Sequence, residues 1–226
     1  MFKAIKGLFI VLGLIPMAKE ALDKAILEHN NQKSDKWIFG TMLAFGIVGL
    51  ISAFTLTVEK FHLLENPGAT LSCTFNLVLN CATVMQTPQA TAFGFPNSLI
   101  GLMGYAVVIT VAVAGLAGTR FPKKFMAWAQ VGYGLGLIFA YWLFFQSVYV
   151  IQVLCPWCLL VTLATTIIFE TLLRYNLREN NFGLSKRAHE RVLGFLRKDY
   201  DKLIVAGWLV LMTALVVLKF GDSLFL

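Results

Sequence analysis

The sequence predicts an all-α integral membrane protein, and three observations carry that prediction. Of 226 residues, 58% are hydrophobic and only 14% are charged, with a mean hydropathy of +0.74. A soluble domain of this size cannot hide so much apolar surface. Five apolar runs are each long enough to cross a bilayer as a helix, about 20 residues. The basic residues collect in the turns between those runs. That placement argues against nucleic acid as a partner, although the net charge is +7.

Residues 1–36 open with Lys3, Lys6 and an apolar stretch from Leu8 to Met17, which Pro16 interrupts. The stretch is too short to span. An amphipathic segment on the membrane surface, continuing through Ala21, Leu22, Ala25 and Ile26, is the preferred reading. A leader cleaved after Ala18 is the alternative. Trp37 to Val58 is the first span, 22 residues without a charge, with Trp37 as interface anchor. Residues 59–95 form a polar connector of 37 residues, a length that marks either a functional loop or disorder. It carries Cys73, Cys81 and a short apolar stretch, Phe75 to Leu79, so a partly helical lid on the membrane surface is expected. Ser98 to Gly118 is the second span, with Asn97 or Ser98 as its N-cap. Arg120, Lys123 and Lys124 make a basic turn. Phe125 to Ile151 is the third span, long enough to tilt. Gln152 to Leu154 is a short turn into the fourth span, Cys155 to Leu173. A charged, partly helical connector covers 176–202, and Leu203 to Phe220 is the fifth span.

Charge sets the expected orientation. With five spans, residues 1–36, the 119–124 turn and residues 174–202 share one side and hold 17 of the 19 basic residues. Only Lys60 and Lys219 fall on the other. The positive-inside rule makes the basic side cytoplasmic. The N-terminus is then inside, and the C-terminus and all four cysteines are extracytoplasmic, where disulfides persist. The basic connector also suits contact with anionic lipid headgroups.

The chemistry centres on Cys155-Pro156-Trp157-Cys158. Two thiols three residues apart close into a small disulfide, open again, and pass two electrons. Pro156 suits the first helical position. Cys155 then falls at the N-cap, where the helix dipole favours a thiolate. Cys73 and Cys81 would lie ~12 Å apart in a straight helix, whereas a disulfide needs Cα atoms within ~7 Å. If these two bond to each other, the chain bends between them or Cys73 precedes a helix carrying Cys81. Two exchange-linked pairs make a relay. A soluble dithiol reduces the loop pair, the loop pair reduces the Cys155–Cys158 pair, and that pair reduces an acceptor in the membrane. The acceptor is expected to be lipid-soluble, and a quinone is the obvious two-electron candidate. Phe93, Phe95, Tyr149 and Trp157 are candidates to line its pocket, although aromatics gather at membrane interfaces in any case. Asn97 is a candidate donor to a quinone carbonyl, or simply a helix cap. The competing reading is four thiolates around one zinc ion. His62, near Glu59 and Glu65, is read as a solvated loop histidine, and Glu170 as an interface carboxylate close to Arg174.

The string from Cys81 to Ser98, with its Phe93-Gly94-Phe95-Pro96-Asn97-Ser98 ending, together with Gly101, Tyr105 and the C-x-x-C heading the fourth span, resembles the vitamin K epoxide reductase family. The resemblance covers roughly residues 37–175. It implies a four-helix bundle around a quinone, capped by the cysteine-bearing loop. It implies that Cys73 and Cys81 are a shuttle pair, that Cys81 attacks Cys155, and that Cys158 delivers electrons to the quinone. Asn97 matches the asparagine the family places near a quinone oxygen, and Thr87 matches a loop position with a hydroxyl. Phe93, Tyr105 and Trp157 join them as expected cofactor contacts. Thr162 stands where animal members carry a tyrosine, a departure that weighs against activity on the epoxide.

The fifth span and the N-terminal segment look like those of bacterial members. Many of these carry a fused thioredoxin domain after the fifth span. This chain ends at Leu226, so the expected partner is a separate thioredoxin-fold protein. The expected activity is reoxidation of that partner with menaquinone or ubiquinone as acceptor, supporting disulfide formation in exported proteins. The alternatives are a vitamin K quinone or epoxide reductase and, from another class, a non-catalytic membrane scaffold or four-cysteine metal-binding protein.

Overall fold

A computed structural model describes the backbone of residues 2–74, 76 and 78–224, and the side chains of 33–74, 76 and 78–221. The described residues form seven α-helices and no strand: α1 (Phe2–Glu65), α2 (Cys81–Met85), α3 (Ser98–Leu116), α4 (Lys123–Phe145), α5 (Pro156–Arg178), α6 (Lys186–Arg197) and α7 (Tyr200–Leu224). A 3-10 turn covers Pro88–Thr91, and a π-helical turn, Gln146–Ile151, extends α4. The chain divides into two compact units, Met1–Trp37 and Ile38–Leu226. The first is helical from Phe2. Its expected amphipathic face, like the alternative leader, rests on side chains outside the described residues. The second unit contains all four cysteines.

Among the described residues, five helical segments are long and apolar enough to cross a membrane: Lys33–Glu65, Ser98–Leu116, Lys123–Ile151, Pro156–Arg178 and Tyr200–Gly221. The first outruns its expected end at Val58 by two turns. No helix breaker intervenes until Asn66-Pro67-Gly68, so residues 59–65 belong to α1 and not to the connector. The second span starts at Ser98 as expected, but the Asn97 side chain makes no capping bond.

The bundle core joins α1, α3, α4 and α5 through Phe39, Met42, Tyr105, Val108, Met126, Ile168 and Leu172, all buried. Small residues let the helices approach. A Cβ added to Gly49 of α1 would lie 2.2 Å from the Tyr105 ring. Glycine here serves close approach, as it does between membrane helices generally. Tyr105 is thereby pressed toward α5, where its hydroxyl meets the Val161 carbonyl at 3.1 Å and Thr165 Oγ1 at 2.8 Å. α7 packs beside α4, burying Met212 and Phe220 against Phe144, Val148 and Leu154.

The end of the bundle away from the cysteines is tied by polar groups. Asn176 is fully buried. Its Nδ2 donates to the Met126 carbonyl and to Gln130 Oε1, both at 3.1 Å, and its Oδ1 accepts from Asn181 at 2.7 Å. Arg174 pairs with Asp201 at 2.7 Å and Asp199 at 2.8 Å, fastening α5 to the α6–α7 junction.

Gly49→Ala is expected to lower the thermal unfolding midpoint in detergent. Its methyl meets a ring that cannot retreat without leaving Val161 and Thr165, and such overpacking costs about 1–3 kcal/mol. Gly40→Ala, where a Cβ meets nothing within 4 Å, is the control and should leave the midpoint unchanged.

Candidate functional site

The site is built where the 66–97 connector folds back onto the bundle. Asn76 Oδ1 accepts from the N–H groups of Val78 and Leu79 at 3.0 and 2.7 Å, turning the chain. Thr74 then pairs antiparallel with Asn80. Asn80 is extended and caps α2, its side chain accepting from the Thr83 N–H at 3.1 Å. That cap is worth about 1 kcal/mol. At the other end of α2, Lys60 Nζ donates to the Met85 carbonyl at 2.6 Å. The reversal brings the Cα atoms of Cys73 and Cys81 to 5.7 Å, and their sulfurs are bonded at 2.09 Å. Both geometric routes open from the sequence operate together: the chain bends, and Cys73 precedes a helix that carries Cys81.

One backbone contact docks this loop. Leu154 donates to the Val78 carbonyl at 2.7 Å, and Asn80 donates to the Leu154 carbonyl at 3.0 Å. Leu154 is the residue immediately before Cys155, so the clip sets one cysteine pair against the other. The approach to it is irregular. The π-helical turn ends at Gln152, left-handed at φ 59°, and the Ser147 hydroxyl donates to the Val153 carbonyl. Cys155 is the N-cap of α5 with Pro156 at the first helical position, and its sulfur accepts from the Cys158 N–H at 3.4 Å.

The four sulfurs form a line. Beyond the Cys73–Cys81 bond, Cys81 Sγ lies 3.4 Å from Cys155 Sγ, which lies 2.7 Å from Cys158 Sγ. Cys73, Cys81 and Cys155 are buried, while Cys158 is half-buried. Glu59, on the extra turns of α1, abuts the loop pair. Its Oε1 accepts from the Ser72 N–H at 3.1 Å and from the Ser72 hydroxyl, and its Oε2 lies 3.1 Å from Cys73 Sγ.

Under the loop lies a cavity of about 740 Å³ walled by α1, α3, α4, α5 and the 84–98 segment. Cys155 and Cys158 are in its wall, as are Thr87, Phe93, Asn97, Tyr105 and Thr162. The Thr87 hydroxyl donates to the Val84 carbonyl at 2.7 Å and that of Thr162 to the Cys158 carbonyl at 3.0 Å. Each is left to the cavity as an acceptor. Asn97 Nδ2 donates to the Gln89 carbonyl at 2.7 Å, and its Oδ1 accepts from the Ala92 N–H at 3.1 Å. The expected cap is therefore a fastener for the 3-10 turn. Asn97 keeps one amide hydrogen for another partner. An apolar cavity of this size with a few polar groups fits a flat apolar ring carrying carbonyl oxygens.

Three residues expected in the pocket lie elsewhere. Trp157 packs on the cluster of Leu56, Leu63, Leu71 and the buried cysteines. Adjacent helical residues point about 100° apart, so with Cys158 turned to the cavity its neighbour faces the cap. Phe95 stacks on the outside of Phe93, and Tyr149 lies between Phe145 and the Lys219 ammonium. Sequence reasoning missed Tyr133, Ser147, Thr165 and Lys60, all in the wall. Of these, only Lys60 carried a signal, as a lone basic residue on the cysteine side.

A membrane-crossing helical bundle with two cysteine pairs in line above an apolar cavity defines a class, the membrane-embedded thiol–disulfide proteins. Within it the assignment is specific: residues 41–173, more than half of the chain, match the vitamin K epoxide reductase family, and the chain belongs to that family. None of the curated proteins matches the chain. Membership makes it an integral membrane protein of a family whose general activity is oxidoreductase chemistry between disulfides and quinones.

The sulfur contact is directly testable. In a Cys73→Ala/Cys158→Ala double variant, mild oxidant should join Cys81 to Cys155 as the main product, read as a cross-linked peptide pair by mass spectrometry. Mainly intermolecular dimers would show that the loop does not hold Cys81 against Cys155.

Proposed function

We propose that this chain is a thiol–disulfide:quinone oxidoreductase that reoxidises a thioredoxin-fold dithiol. The observation that carries the reading is the line of four sulfurs ending at an apolar cavity. A partner thiolate opens the Cys73–Cys81 bond, and the partner leaves as a disulfide with the loop pair reduced. Cys81 thiolate attacks Cys155 of an oxidised Cys155–Cys158 pair, and Cys158 leaves as thiolate. Cys73 attacks Cys81, restores the loop disulfide and frees Cys155. The Cys155–Cys158 dithiol then gives two electrons and two protons to a quinone in the cavity, closing its own disulfide with quinol as product.

Thr87, Phe93, Asn97, Tyr105 and Thr162 are the proposed quinone contacts, with the spare amide hydrogen of Asn97 as donor to a carbonyl oxygen. Trp157 is assigned to shielding the cysteines, where burial slows attack by stray thiols. The cysteine end faces the extracytoplasmic side, because 11 of the 13 basic residues after Trp37 belong to the 119–124 turn and residues 174–202, at the other end of the bundle. Disulfide formation in exported proteins is the role that fits this placement. The Cys73–Cys81 bond weighs against the four-thiolate metal reading, because bonded sulfurs offer no thiolates.

With dithiothreitol as donor, the purified protein in detergent should reduce a short-chain ubiquinone, followed by ultraviolet absorbance. Cys158→Ala should fall to background. Cys73→Ala should lose turnover with a thioredoxin-fold donor and keep it with dithiothreitol. Absence of turnover with every quinone tried, together with stoichiometric zinc, would overturn the reading in favour of a metal site.

A further inference from the structure

We propose that Glu59 is the proton acceptor for Cys73, the group that lets the loop disulfide re-form after Cys81 has attacked Cys155. The proposal rests on the relay above and assigns to it a residue outside the four cysteines. Glu59 divides its carboxylate between two tasks. Oε1 holds the loop through Ser72, while Oε2 lies 3.1 Å from Cys73 Sγ, within reach for direct proton transfer. The sequence isolates this pair. Residues 66–97 contain no Asp, Glu, Lys, Arg or His, and neither do residues 155–169. The other ionisable side chains on this part of α1 are Lys60, turned to the Met85 carbonyl, and His62 and Glu65, both exposed. Glu59 is the carboxylate that the described residues place against the buried loop sulfurs.

Charge decides what such a group can do. A carboxylate beside a thiol disfavours the thiolate, so Glu59 does not activate Cys73 by stabilising its anion. It acts by taking the proton. In the mixed disulfide, Cys81 is bonded to Cys155 and Cys73 is a buried thiol away from bulk water. As Cys73 Sγ attacks Cys81 Sγ, its proton passes to Glu59 Oε2. The Cys81–Cys155 bond breaks, the Cys73–Cys81 bond forms, and Cys155 leaves with the electron pair. Glu59 then carries the proton as a neutral carboxyl, a species suited to donating toward the adjacent disulfide sulfur. The next reduction of that disulfide draws the proton back onto Cys73.

A single-turnover experiment separates this step from quinone reduction. Fully reduced protein, freed of dithiothreitol, is mixed with one equivalent of a short-chain ubiquinone. Quinol formation is read by absorbance, and the disulfides are read by alkylation and mass spectrometry. Glu59→Gln keeps an oxygen for Ser72 but cannot accept a proton. It should form quinol at the wild-type rate, accumulate the Cys81–Cys155 mixed disulfide, and close Cys73–Cys81 at least about tenfold more slowly near pH 7. The defect should shrink near pH ~9.5, where a thiol of ordinary pKa, about 8.5, ionises unaided. Ser72→Ala, which loosens the loop but keeps the carboxylate, should show no such pH-dependent rescue. Loop closure at the wild-type rate in Glu59→Gln would overturn the proposal, as would slowing by the same factor at both pH values. If Glu59→Gln fails to fold, Glu59→Asp decides: closure that is slower but still rescued by pH supports the proposal, and closure with an unchanged rate and pH profile overturns it. Absence of quinol in the wild type would overturn the relay itself.

Discussion

The 3.4 Å contact between the sulfurs of Cys81 and Cys155 is the constraint the irregular parts of this molecule answer to. Disulfide exchange needs sulfur against sulfur, and the two residues are 74 positions apart. A regular helix cannot hold a distant loop at that separation, so backbone pairing does. The Leu79–Leu154 bridge fixes the loop to the residue before Cys155. The Asn76 turn, the Asn80 cap and the Lys60 bond to Met85 then hold the loop backbone on either side of the buried cysteines. The 66–97 loop is free of charged residues yet rich in Asn and Thr, which bond backbone at short range.

The bundle beneath has the opposite design. Its core is apolar, its helices approach over glycine, and its hydroxyls mostly return their protons to their own helix, as with Thr57, Thr162 and Thr171. That arrangement leaves few unattached polar atoms in the cavity wall. Asn97, with a spare amide hydrogen, and Thr162, with a free acceptor lone pair, are exceptions in the same wall as Cys155 and Cys158. A ligand with carbonyl oxygens on an apolar body would find polar partners in the same wall as the half-buried sulfur.

The Glu59 carboxylate links these two halves. It reaches the loop because α1 continues beyond its apolar stretch, and a helix stops where its breakers stand and not where hydrophobicity ends. The same two turns deliver Lys60 to the end of α2. One helical extension thus supplies both an anchor for the loop and an ionisable group beside its disulfide.

Much of this was legible in the sequence, for local reasons. Five spans follow from length and hydrophobicity, and the N-cap position of Cys155 follows from Pro156 one residue later. The family resemblance rested on residues 81–105 and the C-x-x-C motif. Other features were not legible, because they depend on how helices are rotated about their axes. Trp157 and Cys158 are neighbours in sequence, but only packing decides which one faces the cavity. Asn97 offered a cap or a ligand contact, and the structure instead engages it with Gln89 and Ala92 across a turn whose path no local pattern specifies. Tyr133, Ser147 and Thr165 entered the cavity wall through helix contacts between residues far apart in the chain. Sequence alone determined the elements and the redox-capable residues, since those depend on short-range propensity and thiol chemistry. Which cysteines touch, and which carboxylate stands beside them, was decided by tertiary structure, because sulfur and proton transfer are set by distances that only packing fixes.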